Sequence, residues 1–258
     1  MNKTILTDES CDTLRILLFD IETTPNLSYT WCGKWEQNVI EFKEEGYILS
    51  FAWKFLGDKK VKSCCINDFK RNGRKRVVQK LWELFDQADV IIAHNGNQFD
   101  IKWANRAFIF YQMTPPSPYK QIDTLKEAKG KFKFNSNSLN DLGKYLKLGC
   151  KIETGGFELW KLCMAGDQKA FRKMTKYNKQ DVVLLEKVYL KLRPFMTNHP
   201  KINVFDRRAC PNCGSPHIIK KGIAVTGDNV YQKWLCKECG KWSTGNYSKF
   251  VSKDNRIK

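Results

Sequence analysis

Residues Ile16–Pro25 read ILLFDIETTP. The apolar run RILLF over residues 15–19 has the length and composition of a buried strand, and it ends on two acids two positions apart, Asp20 and Glu22. Alternate side chains of a strand face the same side, so both carboxylates project together from its C-terminal end. Carboxylates this close repel, and one of them is driven towards its protonated form. A divalent cation removes the conflict: Mg²⁺ takes carboxylate oxygens, keeps several waters and suits phosphate chemistry. A bare D-x-E is also what an ordinary solvated strand end looks like, so the pair needs company before it means a site.

Two further stretches supply it. VIIAHNGNQFD repeats the pattern of apolar strand, glycine-bearing turn (Gly96) and an acid, Asp100, entering a helix. In Tyr177-Asn178-Lys179-Gln180-Asp181 the tyrosine and the aspartate lie four apart and share one helical face. Asp100 and Asp181 each also read as plain helix caps. His94 and Asn95 precede Asp100; His94 reads as a satisfied polar residue at a strand end.

The elements around these motifs alternate. YILSFAWKFL (47–56) sets Tyr47, Leu49, Phe51, Trp53 and Phe55 against a face of smaller residues, a strand pattern, and Gly57-Asp58-Lys59 turns it into a partner strand, VKSCCI. RKRVVQKLWELFDQA (74–88) places Val77, Val78, Leu81, Leu84 and Phe85 on one helical face. A further acid opens the next element, QIDTLKEA (121–128). Helices are expected from about Ser138, over 156–165, over 167–176 and over 179–193, and Pro194 and Pro200 punctuate a linker. Strands first in meander and then alternating with helices predict a mixed α/β sheet covered by helices.

In their order, FDIET, N-x-x-x-FD and Y-x-x-x-D resemble the three motifs of the DEDD-type 3′–5′ exonucleases, whose domain is RNase H-like and includes the proofreading domains of family B polymerases. The spacing, 78 positions from Glu22 to Asp100 and 81 from there to Asp181, suits such a domain. A histidine-bearing subgroup would carry its histidine five before the last aspartate, where this chain has Lys176, so the resemblance is to the tyrosine-bearing subgroup. SLNDLGKYL and GGFELWKL also resemble helices of polymerase-type exonuclease domains. The resemblance covers roughly residues 13–193. It implies that Asp20, Glu22, Asp100 and Asp181 hold two Mg²⁺ or Mn²⁺ ions about 3.5–4 Å apart, with Tyr177 orienting the attacking water. It implies hydrolysis of phosphodiesters from a 3′ end to nucleoside monophosphates. An RNase H-fold endonuclease and a non-catalytic nucleic-acid-binding protein are the alternatives.

The C-terminal segment reads differently. Cys210 and Cys213 form one C-x-x-C and Cys236 and Cys239 another, with 22 residues between the pairs and Gly214 and Gly240 directly after them. HIIKKG and NVYQKWL read as strands joined through TGD. This is the spacing of a four-cysteine zinc ribbon holding one structural Zn²⁺, and the segment resembles ribbons of nucleic-acid-processing proteins. Trp234, Tyr231 and Trp242 interleave with Lys220, Lys221, Lys233, Lys237 and Lys241, a composition suited to stacking on exposed bases or to covering a small core. The other six cysteines (Cys11, Cys32, Cys64, Cys65, Cys150 and Cys163) show no paired spacing and read as small, mostly buried residues.

The charge agrees with a polyanionic partner. Forty-five basic residues against 27 acidic give +18, and residues 201–258, with 12 basic and 4 acidic, carry +8 of it. FKRNGRKR (69–76) and KGKFKF (129–134) are basic runs able to track a phosphate backbone, though such runs are more often solvated faces. No apolar run approaches the ~20 residues of a membrane span, and MNKTILTDESCD has no signal-like apolar core. The expectation is thus a cytoplasmic, membrane-free protein of two domains. Residues 1–195 would form the exonuclease domain, 196–204 a linker and 205–258 the ribbon. Its partner would be nucleic acid, DNA rather than RNA, and it would stand alone or work with a polymerase or another replication or repair protein in trans.

Overall fold

A computed structural model describes residues 14–31, 38–203, 208–226 and 229–250. Two compact units are present, one of Arg15–Leu190 and one containing the residues beyond it.

In the first unit, β1 (Ile16–Thr23) is followed by a small hairpin, β2 (Leu27–Tyr29) and β3 (Glu41–Glu44), then by β4 (Ile48–Phe55) and β5 (Lys62–Cys65). Helix α1 (Gly73–Asp86), β6 (Val90–Ala93), α2 (Asp100–Phe110), β7 (Lys120–Asp123) and α3 (Thr124–Lys131) alternate after that. The chain then turns helical, with α4 (Leu139–Tyr145), α5 (Glu158–Met164) and α6 (Gln168–Leu192). The sheet order is β5-β4-β1-β6-β7, antiparallel on the meander side and parallel from β1 to β6 to β7. β1 is central, and its ILLF run is buried because both faces are covered, while Arg15 just before it is exposed. On one face Leu17, Phe19 and Ile21 pack with Phe51, Trp53 and the expected apolar stripe of α1, Val77, Val78, Leu81, Leu84 and Phe85. On the other, α5 and α6 contribute Leu159, Cys163, Phe171 and Met174.

Two expectations need correction. The stripe Tyr47–Phe55 does not keep one face. The β1–β4 register shifts between Glu22 and Thr23, a bulge that leaves Leu49 without a paired residue. Phe51 and Trp53 therefore join the α1 side, while Leu49 and Tyr47 turn to the α5–α6 side. Nor do residues 167–193 form two helices. α6 is continuous, because nothing between Gln168 and Leu192 is a glycine or proline, and the polar YNKQD stretch turns its Asn178 and Asp181 inward rather than breaking the helix. Asp181 is thus mid-helix and is no cap.

The second unit holds an antiparallel sheet, β8 (Ile218–Thr226), β9 (Asn229–Cys236) and β10 (Trp242–Phe250), in the order β10-β9-β8. The first two strands fit the expectation, and the third adds to it. Among the other cysteines, Cys64, Cys65 and Cys163 are buried as expected, but Cys150 is exposed in the loop after α4; Cys11 and Cys32 lie outside the described residues.

Candidate active site and cysteine cluster

β1 carries the first two acids past the end of its parallel neighbour. Pairing with β6 stops at Leu18↔Ile92, so the N–H groups beyond have no strand partner on that edge. The carboxylate of Asp100, in the first turn of α2 and 3% exposed, takes one of them: its Oδ1 accepts from the Ile21 N–H at 2.9 Å. One hydrogen bond both completes the strand edge and ties Asp100 beside Asp20.

α6 supplies the opposing wall. Asn178 and Asp181, both fully buried, face the strand. Asn178 donates through Nδ2 to the Asp20 carbonyl (3.1 Å) and to Asp20 Oδ2 (2.7 Å). Asp20, Glu22 and Asp181 each bring a carboxylate oxygen within 4.8 Å of the others. Asp100 stands outside that trio, held by the β1 backbone. Tyr177, one turn before Asp181, is half-buried, and its hydroxyl accepts from Lys151 Nζ at 3.2 Å.

The electrostatics follow from the crowding. Burial pushes Asp20 well above the carboxylate range, with Asp100, Glu22 and Asp181 adding to it. Glu22 rises to about 8 by burial and by the charge of Asp181. Asp100 rises to about 7, chiefly by burial. Asp181 is raised by burial against the pull of Lys151, whose Nζ donates to its Oδ2 at 2.6 Å. Burial would lower Lys151, but Asp181 and Tyr177 hold its ammonium above the usual range. Burial, then Asp181, pushes the Tyr177 phenol up, so it keeps its proton at neutral pH. Asp181 Oδ1 is buried and has no hydrogen-bond partner, as are Asn178 Oδ1 and Ser50 Oγ. A trio of converging carboxylates with an orphaned oxygen is what a hard divalent cation fits, because it supplies charge and coordination that the protein leaves open.

A family model of the RNase H superfamily matches residues 17–193, more than half of the chain. The chain belongs to the RNase H superfamily. No curated protein matches it. RNase H superfamily nucleases act on nucleic acid with divalent metal ions, and the mixed five-stranded sheet flanked by helices is that fold.

Sequence reasoning missed two polar contributors to this candidate site, Lys151 and Asn178. It also left the acid of QIDTL without a role. Asp123 caps α3, accepting from Leu125 N–H at 3.0 Å, and clasps the turn that leads to Asp100, accepting from Asn95 N–H (2.9 Å) and Asn97 N–H (3.2 Å). Replacing Asp123 with alanine orphans these donors and should lower the melting temperature by roughly 5–10 °C, a cost of about 2–4 kcal/mol, read by thermal unfolding in chelator. A shift under about 1 °C would show that the turn holds without it. His94 is a satisfied polar residue at the end of β6, as expected. Its Nε2–H donates to the Asn137 carbonyl (3.0 Å), its Nδ1 lies 2.9 Å from Thr124 Oγ1, and burial lowers its pKa to about 4.

The second unit brings Cys210, Cys213, Cys236 and Cys239 together, with Cys210–Cys239 sulfurs 3.8 Å apart and Cys213–Cys236 sulfurs 3.6 Å apart. A disulfide would need about 2.05 Å. Four sulfurs at about 2.3 Å from a tetrahedral Zn²⁺ lie about 3.8 Å from one another, so the cluster is compatible with a zinc site. Each pair sits in the same turn: Gly214 and Gly240, at φ 74° and 70°, donate back to the carbonyls of Cys210 and Cys236. Asn212 donates its backbone N–H to Cys210 Sγ and its Nδ2 to Cys239 Sγ, both at 3.4 Å. Trp242 is 48% exposed with Lys221 over its ring at 5.8 Å, whereas Trp234 is half-buried under Lys220. No helix among the described residues is long and apolar enough to cross a membrane.

Proposed function

We propose that the chain is a metal-dependent 3′–5′ exonuclease that removes nucleoside monophosphates from the 3′ end of DNA. The observation that carries this reading is the convergence of Asp20, Glu22 and Asp181 within 4.8 Å, with Tyr177 one helical turn from Asp181. Asp20, Glu22 and Asp181 are the residues that would hold divalent metal, with Asp100 completing the set. When bound, two such ions supply Lewis-acid stabilisation of the phosphoryl charge and a water acidic enough to attack at neutral pH. The protein's own groups then set the geometry. Asn178 fixes the Asp20 carboxylate, the Ile21 N–H fixes Asp100, and α6 presents Tyr177 and Asp181 from one rigid helix. Tyr177, kept protonated, is suited to orient the nucleophilic water rather than to deprotonate it.

In this reading residues 1–195 form the exonuclease domain, 196–204 a linker, and 205–258 a zinc ribbon whose lysines and exposed Trp242 hold nucleic acid. The enzyme is cytoplasmic and stands alone or serves a polymerase or other repair protein in trans. Digestion of 5′-labelled DNA and RNA strands with Mg²⁺, Mn²⁺ or chelator tests it. DNA is expected to give a ladder shortening from the 3′ end, silent in chelator and with Asp181→Ala. A single internal cut would instead assign an RNase H-fold endonuclease, and binding without cleavage a non-catalytic protein.

A further inference from the structure

Lys151 lies in the loop between α4 and α5, outside the three motifs, yet its ammonium reaches Asp181 of the acid cluster. We propose that Lys151 is a built-in counter-cation: its ammonium holds the place of a divalent cation among Asp20, Glu22 and Asp181, and metal binding displaces it. This rests on the metal-binding reading of the same site.

Three observations support it. First, Lys151 acts on all four acids, and it touches two of the groups that face the site, Asp181 Oδ2 at 2.6 Å and the Tyr177 hydroxyl at 3.2 Å. Second, it is an incomplete solution. A single positive charge faces three converging carboxylates, and Asp181 Oδ1 stays buried without a partner. An ion pair serving only the fold would be expected to satisfy the buried acceptor it is built around. Third, the side chain is able to leave. Its backbone N–H is anchored to Asn140 Oδ1 (3.0 Å), but the side chain itself is a third exposed, on a flexible four-carbon stem. A divalent cation on Asp181 would sit within ångströms of an ammonium, and two cations at that range repel strongly. Lys54–Glu186, also 2.6 Å but involving none of the trio, provides a structural ion pair for comparison.

The test uses the full chain and Mn²⁺. Lys151→Met is expected to melt about 5 °C below the parent in chelator, and this gap should close in saturating Mn²⁺, because the lysine's contribution exists only while metal is absent. Lys54→Met should show the same gap with and without Mn²⁺. In the unmodified protein, reductive methylation read by peptide mass spectrometry should label Lys151 slowly in chelator and several-fold faster in Mn²⁺; this arm needs no variant to fold. If Mn²⁺ raises the melting temperature but leaves both the Lys151→Met gap and the Lys151 labelling unchanged, the stand-in is overturned while the metal site survives. If Mn²⁺ leaves the melting temperature of the parent unchanged, both fall.

Discussion

An Asp20→Asn protein is expected to lose turnover by at least about 10³-fold and yet to melt no lower than the parent in chelator near neutral pH. The two halves of this result come from the same crowding. Asp20 is pushed well above the carboxylate range, first by burial and then by Asp100, Glu22 and Asp181. An amide of the same shape keeps an acceptor for Asn178 Nδ2, which now lies 2.7 Å from Asp20 Oδ2. It stands in for a group that burial and its neighbours already hold towards its neutral form, so the fold loses nothing, while the proposed site loses a carboxylate that a metal ion would need. The pH dependence has a definite sign. Glu22 titrates at about 8 in the fold against 4.5 when free, and Asp100 at about 7 against 3.8. Between those limits the folded protein holds protons that the unfolded chain has released, so metal-free stability falls as pH rises through this window, on the order of a few kcal/mol. Mn²⁺ should offset that loss, and its effect on the melting temperature should therefore be small near pH 5 and large near pH 8. Asp20→Asn should show a shallower pH slope in chelator and a blunted response to Mn²⁺. Parallel slopes and equal Mn²⁺ responses in the two proteins would mean that the four acids do not act on one another.

Much of this site could be read from the chain because its acids sit where regular structure makes positions computable. Asp20 and Glu22 share a face by strand alternation, Tyr177 and Asp181 by helical spacing, and the α1 stripe by its apolar period. What escaped is what local pattern does not encode. The bulge opposite Glu22 and Thr23 comes from strand register, and it redirects Leu49 without any local mark. Asn178 and the rest of the YNKQD stretch look like a solvated break between helices, because polar residues turned inward towards other polar groups mimic polar residues turned outward to water. Lys151 is one lysine among many, and only the fold of its loop brings it to Asp181. Asp123 was visible as an acid opening an element, where a local cap on α3 is readable, but it also works on backbone N–H groups 26 and 28 residues away, which no spacing rule reaches. β10 was hidden by WSTGNYSKF, in which Gly245 and small polar residues replace the alternation of a strand, and its register against β9 is interrupted between Thr244 and Ser248.

The second large effect concerns the cysteines. The chain is expected to hold one zinc, and Cys210→Ser or a strong chelator is expected to release it and unfold the β8–β10 sheet. The reason is the scarcity of core. Ile219, Ile223 and Val225 of β8 are exposed, and among the residues of 208–245 whose side chains are described the buried apolar ones are Ala209, Cys210 and Cys236, two of them members of the cluster itself. A three-stranded sheet with so little apolar burial does not offset its own conformational entropy. A structural Zn²⁺ on four thiolates contributes apparent binding free energies of about 10–16 kcal/mol, enough to carry the unit alone. Without it, four sulfurs 3.6–3.8 Å apart in pairs would be held only by weak S–H contacts and by the two bonds from Asn212. Zinc release can be counted with a colorimetric chelator, and the loss of structure followed by limited proteolysis within residues 208–250. Cleavage there should accelerate by at least about 10-fold, while Arg15–Leu190, whose apolar clusters are its own, stays resistant. Because Trp242 and the lysines beside it are presented by the same sheet, affinity for single-stranded DNA should fall with the zinc, along with part of its salt dependence. A metal-free protein whose C-terminal sheet resists protease as well as before would show that these cysteines pack as thiols and that the metal is not what holds the strands.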